Sequence, residues 1–158
     1  MDKSPMTSRS HKALTEELQR LKSIERKKAA NDLAEARAHG DLSENAEYEA
    51  AKDAQGHLEA RIRLLEQRLG TAQIIDVSKL SGTKVVFGAT VTLAEVDTGE
   101  ERVIMIVGED ESDVEKGLIS YVSPLARAII GKSVDDLAIV KLPAGQREYE
   151  ILDVKFVE

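Results

Sequence analysis

The chain has 158 residues, 42% of them hydrophobic and 32% charged, with a net charge of -7 and no cysteine. That length serves one average domain or two small ones, and the missing thiols exclude disulfides and thiolate metal sites. Residues 1–76 hold 13 Lys+Arg against 14 Asp+Glu and residues 77–158 hold 9 against 15, which argues against free duplex nucleic acid as the main ligand.

A protein partner with a basic face suits this charge better than DNA does. Cysteine-free composition also fits a reducing cytosol. Met1-Asp2-Lys3-Ser4-Pro5 is followed by no apolar stretch, so no secretory signal is expected. The longest apolar run, Val103-Ile104-Met105-Ile106-Val107, is far too short to span a bilayer. A cytoplasmic location away from membranes is therefore the expectation.

Taken in chain order, a first helix is predicted to begin after Thr7 or Ser8, either of which can cap it. Leu14, Leu18 and Leu21 form its lower seam, and Ala29, Leu33 and Ala36 its upper one. Glu25-Arg26-Lys27-Lys28 interrupts the stripe, and Arg26-Lys27-Lys28 reads as a solvated face. Gly40 is placed to end this helix, being the residue type that best tolerates a left-handed backbone. A second helix carries Tyr48, Ala51, Gln55, Leu58, Ile62, Leu65, Leu69 and Ala72 in alternating steps of three and four. Seven of these eight are apolar, which is a coiled-coil seam. So short a connection forces the helices antiparallel, and a helix of about 30 residues reaches ~45 Å.

From Gln73 the period becomes that of strands. Gln73–Val77, Val85–Val96, Arg102–Val107, Leu118–Val122, Leu137–Leu142 and Glu148–Val157 are the predicted segments, with turns at Thr98-Gly99 and Pro143-Ala144-Gly145. One short helix fits Pro124–Ile130, capped by Ser123 and stopped by Gly131. The expected organisation is a helical hairpin over 1–76 with its tip at 40–45, a linker at 77–83 and a β-rich domain over 84–158. The class is α+β.

The tip carries the chemistry. Asp41, Glu44, Glu47 and Glu49 are all acidic, with no cation between Arg37 and Lys52. Asp41-Leu42-Ser43-Glu44 has the form of a capping box at the start of the second helix, and acidic residues there also suit the helix dipole. Glu47 and Glu49 require only a solvated helix face. The pair Asp41 and Glu44 is also the donor type that Mg²⁺ takes, one or two carboxylates completed by ligands from elsewhere. An exposed turn bearing two carboxylates thus points to catalysis in trans. His11, His39 and His57 lack metal-site spacing, and neither a phosphate-cradling loop nor a nucleophile elbow occurs.

The run Gly40-Asp41-Leu42-Ser43-Glu44-Asn45-Ala46-Glu47-Tyr48, preceded by Glu35-Ala36-Arg37, resembles the tip of the bacterial Gre transcription elongation factors. Met6-Thr7, Leu14-Thr15-Glu16-Glu17-Leu18, Ala72-Gln73-Ile74-Ile75-Asp76, Phe87-Gly88-Ala89-Thr90-Val91, Ile119-Ser120 and Ser123-Pro124-Leu125-Ala126-Arg127 extend the likeness over nearly the whole chain. The tip is closer to the GreA branch than to its more basic GreB branch. The resemblance implies a long antiparallel coiled coil followed by an FKBP-like globular domain that docks on RNA polymerase. It implies that the coiled coil enters the secondary channel of the polymerase and brings Asp41 and Glu44 to the active site, where they help hold a Mg²⁺. Cleavage of the extruded RNA 3′ end of a backtracked complex would then be stimulated, the hydrolysis belonging to the polymerase and not to this chain. Arg37 and Lys52 match a basic spot implied to guide the RNA, and Ser123 and Pro124 match a polymerase-contact loop. A monomer is expected, with no cofactor bound stably alone. FKBP-like architecture does not imply prolyl isomerase activity, because fold is not function. The few aromatics after residue 76 read as core packing.

Two rivals stand beside this reading. An anti-cleavage paralogue would share fold and docking site but block the channel; the unbroken tip argues against it. A coiled-coil chaperone or adaptor would present an apolar tip, whereas only Leu42 is apolar here.

Overall fold

The computed structural model describes residues 3–39 and 45–157. Its class is the expected α+β: an antiparallel helical hairpin and a small β-rich domain with one short helix. The described residues divide into two units, one of residues 11–39 and 45–72, the other of residues 3–10 and 73–157.

In the helical unit, α1 (Ser8–Arg20) leads through a π-helical turn (Leu21–Glu25) into α2 (Arg26–His39), and α3 covers Asn45–Gly70. Gly40, expected to stop the first helix, and Asp41 and Glu44, expected to cap the second, lie outside the described residues. Seven of the eight seam positions, Tyr48 to Leu69, lie on α3 and are buried or half-buried, with Ile62 and Leu65 closed to solvent at 1% and 0% exposure; the eighth, Ala72, falls beyond the end of α3, in the strand Ala72–Ile75. Among the described residues after Leu42, the seam is thus the face that packs.

The π turn explains the interrupted stripe in the first helix. Continued four-three stepping from Leu21 would bring Lys28 to the seam, yet Lys28 is exposed and Ala29, Leu33 and Ala36 are the shielded positions. The apolar pattern is displaced by one residue. A π turn holds one residue more than an α turn, and here the Arg26 N–H donates to the Leu21 carbonyl, five residues back. The extra residue returns the upper alanine-rich seam to the facing helix. Ion pairs flank the packed stripe: Arg61 with Glu17 at 2.9 Å, Arg26 with Glu59 at 2.7 Å and Lys22 with Glu66 at 3.3 Å. The hydrogen bond from Arg61 holds the Glu17 carboxyl below its ordinary range, and that from Arg26 does the same for Glu59. Both contributions are present above the ordinary carboxylate range and fade as pH falls through the lowered values.

In the globular unit, β1 (Ser4–Thr7) pairs with β2 (Ala72–Ile75) as a two-stranded ribbon. The main sheet contains β3 (Thr90–Glu95), β4 (Glu101–Val107), β5 (Leu118–Ser120), β6 (Leu137–Leu142) and β7 (Gly145–Lys155), in the order β5-β4-β3-β7-β6. Within this sheet β4 and β5 run parallel and the other neighbours antiparallel. Helix α4 (Pro124–Ile129) starts as expected, with the Ser123 hydroxyl accepting from the Ala126 N–H at 3.3 Å and Pro124 in the first turn. Val91, Leu93, Ile104, Ile106, Ile129 and Ile151 form the centre of the core. Phe87, Tyr121 and Phe156 pack against it and Tyr149 is buried in it, so the aromatics do serve packing.

Two features depart from the expected organisation. Residues 3–10 belong to the globular unit, and β1 was not predicted. The segment expected as a linker begins with Val77, which is 2% exposed and packs with Met105 and Val107. That second cluster covers the other face of β4, which is why Ile104 to Val107 are buried without alternation.

Thr7 anchors the chain's entry to α1. Its hydroxyl oxygen accepts from the Ser10 N–H at 3.1 Å and donates to Glu111 at 2.5 Å, while Arg9 reaches the same carboxylate at 2.6 Å. Thr7 is 2% exposed, so alanine there would remove a cap and leave a shielded N–H without its acceptor. Thr7→Ala is expected to lower stability by about 1–2 kcal/mol, measured by urea unfolding; Thr7→Ser should retain most of it.

Candidate functional site

The distal part of the hairpin is built from the facing ends of α2 and α3. Arg37 stands on α2, four residues before Asp41 in the chain. Tyr48 and Lys52 stand on α3 one turn apart, a spacing that puts both side chains on one face. Asp41 and Glu44 themselves lie outside the described residues.

The described residues of this region converge on one ring. The Arg37 guanidinium carbon lies 5.6 Å from the centroid of Tyr48 and the Lys52 ammonium 6.0 Å from it, both within the range of cation–π attraction. Arg37 also donates a long hydrogen bond, 3.4 Å, to the Tyr48 hydroxyl. That bond, then the charges of Arg37 and Lys52, hold the Tyr48 phenol below its ordinary pKa. Both expected RNA-guiding residues are therefore brought together, and the residue that joins them is one that sequence reasoning assigned only to the seam. The available signal was the Tyr48-to-Lys52 spacing on one helical face, which periodicity alone does not separate from packing.

Ser123 and Pro124 sit elsewhere, at the start of α4. Together with Leu118, Leu125, Val140 and Leu142 they line an open, mostly apolar cavity of about 300 Å³ in the globular unit. Tyr149 and Arg102 also border it. Ser123 is thus both cap and cavity wall. A cavity walled by aliphatic side chains with one cation at its edge is suited to an apolar anchor from another protein.

Comparison with known proteins decides the family. The family model of the N-terminal domain of transcription elongation factors matches residues 4–74, and that of the GreA/GreB C-terminal domain matches residues 80–156. The chain belongs to the GreA/GreB family of transcription elongation factors. It is 54% identical over 157 residues to a transcription elongation factor GreA of Xanthomonas axonopodis pv. citri, covering 99% of each chain. It is 56% identical over 156 residues to that of Beijerinckia indica, again covering 99% of each. Among solved structures, the GreA factor homolog 1 (Gfh1) of Thermus thermophilus matches at 28% identity and a TM-score of 0.45, covering 96% of this chain and 98% of that one.

No helix among the described residues is long and apolar enough to cross a membrane. Among them, no group of three or more His, Cys, Asp or Glu could hold a metal ion. Asp41 and Glu44 supply two hard oxygen donors, a set that fits Mg²⁺ when other ligands come from a partner.

Proposed function

We propose that this elongation factor binds RNA polymerase as a monomer in the cytoplasm and stimulates cleavage of the extruded RNA 3′ end in backtracked complexes. The observation that carries the reading is full-length identity above half to proteins named GreA, in a chain with the acidic pair Asp41 and Glu44. The chain has no hydrolytic activity alone under this reading, because it provides only part of a site. Asp41 and Glu44 hold a Mg²⁺ jointly with the polymerase, and that ion, when bound, stabilises charge on the oxygens of phosphodiester cleavage. Arg37 and Lys52 guide the RNA strand by its phosphates. The Ser123-Pro124 edge of the globular domain supplies the polymerase contact.

The apolar cavity beside Pro124 supports the docking role. Competition for purified polymerase tests it: Pro124→Ala should weaken binding about five- to tenfold, the effect of trimming one side chain in an apolar anchor site. Unchanged affinity would leave Pro124 as a helix-start residue only, and a full-length protein that fails to bind polymerase would defeat the reading.

A further inference from the structure

We propose that Tyr48 is a positioning residue: its ring holds Arg37 and Lys52 in place without neutralising them, leaving both charges for the phosphates of a single RNA strand. The contrast within the hairpin carries this inference. Lys22, Arg26 and Arg61 each reach a carboxylate on the facing helix. Arg37 reaches a phenol instead, and the same ring attracts Lys52. Glu49 stands beside Tyr48 in the chain, yet the contacts described for Arg37 and Lys52 are with the tyrosine.

A carboxylate at the position of Tyr48 would fix Arg37 equally well but cancel its charge. A neutral π face fixes it and leaves the charge intact. Gathering two like charges on one ring is unfavourable in isolation, and an approaching phosphate relieves it. Both cations are exposed while Tyr48 is half-buried, so the ring is held by the seam and the charges face solvent. This combination of an aromatic ring and cations is the chemistry of single-strand binding. The inference rests on the RNA-guiding reading of Arg37 and Lys52 given above.

The test uses the full-length protein and polymerase complexes with and without an extruded RNA 3′ segment. Apparent affinity is measured for both across a salt series, with helical melting as a folding check. Tyr48→Leu should weaken binding to the RNA-extruding complex about two- to fivefold, the worth of exposed cation–π pairs, and leave the other complex unchanged. Tyr48→Glu, able to pair with Arg37, should flatten the log–log salt dependence by about 0.7 for each phosphate no longer neutralised. Tyr48→Phe, which keeps the ring, should stay close to the parent protein. Equal weakening of both complexes by Tyr48→Leu would reduce Tyr48 to a packing residue and overturn the inference. So would an unchanged response to Leu and Glu while a double Arg37→Gln, Lys52→Gln variant lowers RNA-dependent affinity. If that double variant changes nothing, the RNA-guiding reading fails and takes the inference with it.

Discussion

Asp41→Asn is expected to reduce stimulated transcript cleavage on the order of a hundredfold, the loss typical of removing one strong electrostatic contributor from a reaction site. Its thermal stability should barely move, because asparagine caps a helix about as well as aspartate. The substitution is chosen to separate the two roles that the motif permits. If Asp41 only caps the second helix, the asparagine variant keeps both fold and activity. If Asp41 lends a carboxylate to Mg²⁺, the variant keeps the fold and polymerase binding but loses cleavage. Glu44→Gln should behave in the same way, since glutamine also completes a capping box. Stability, binding and cleavage are measured separately, by melting, competition and RNA fragment release.

Leu65→Ala is expected to produce the largest loss of stability among the hairpin substitutions, about 2–5 kcal/mol. Leu65 is fully closed to solvent and sits next to Ile62 in the seam. Removing its side chain loses apolar burial and leaves a cavity that two long helices cannot readily collapse. In a chain of this size that loss corresponds to a fall in Tm of roughly 4–20 °C. Leu58→Ala, at a half-buried position nearer the tip, should cost less. A Leu65→Ala melt within a degree or two of the parent would contradict the seam as the main source of hairpin stability. Helical circular dichroism during heating measures both.

How much of this was legible beforehand depended on the length of each pattern. The seam from Tyr48 to Leu69 repeats often enough that each position was identifiable, and each is shielded, whereas Ala72, read as its last position, lies in a strand. The π turn was visible only as a charged gap, because a one-residue displacement leaves no residue type of its own. Strand β1 was invisible for a different reason: Ser4-Pro5-Met6-Thr7 is four residues long and contains proline, which belongs to edges and not to recognisable strand runs. Val77 was misjudged as the start of a linker because its partners, Met105 and Val107, are distant in the chain. The beginning of α4 was fully legible, since capping by Ser123 and Pro124 is local chemistry.

The same division runs through the site. Asp41, Glu44, Arg37 and Lys52 stood out as charges around a turn. Tyr48 did not, because an aromatic residue at helical spacing reads as core. Its second role emerges only when the facing helix brings Arg37 within reach of the same ring as Lys52. The apolar cavity beside Pro124 was hidden likewise, being assembled from β5, β6 and the start of α4.

The most direct test is the rate at which short 3′ RNA fragments leave purified, stalled and backtracked RNA polymerase in Mg²⁺, with and without this protein. Release should be many times faster in its presence, and no fragment should form when the protein meets the same RNA without polymerase. Release at the unassisted rate, or slower, would contradict the proposed function, and the slower result would mark the chain as an inhibitor acting through the same channel.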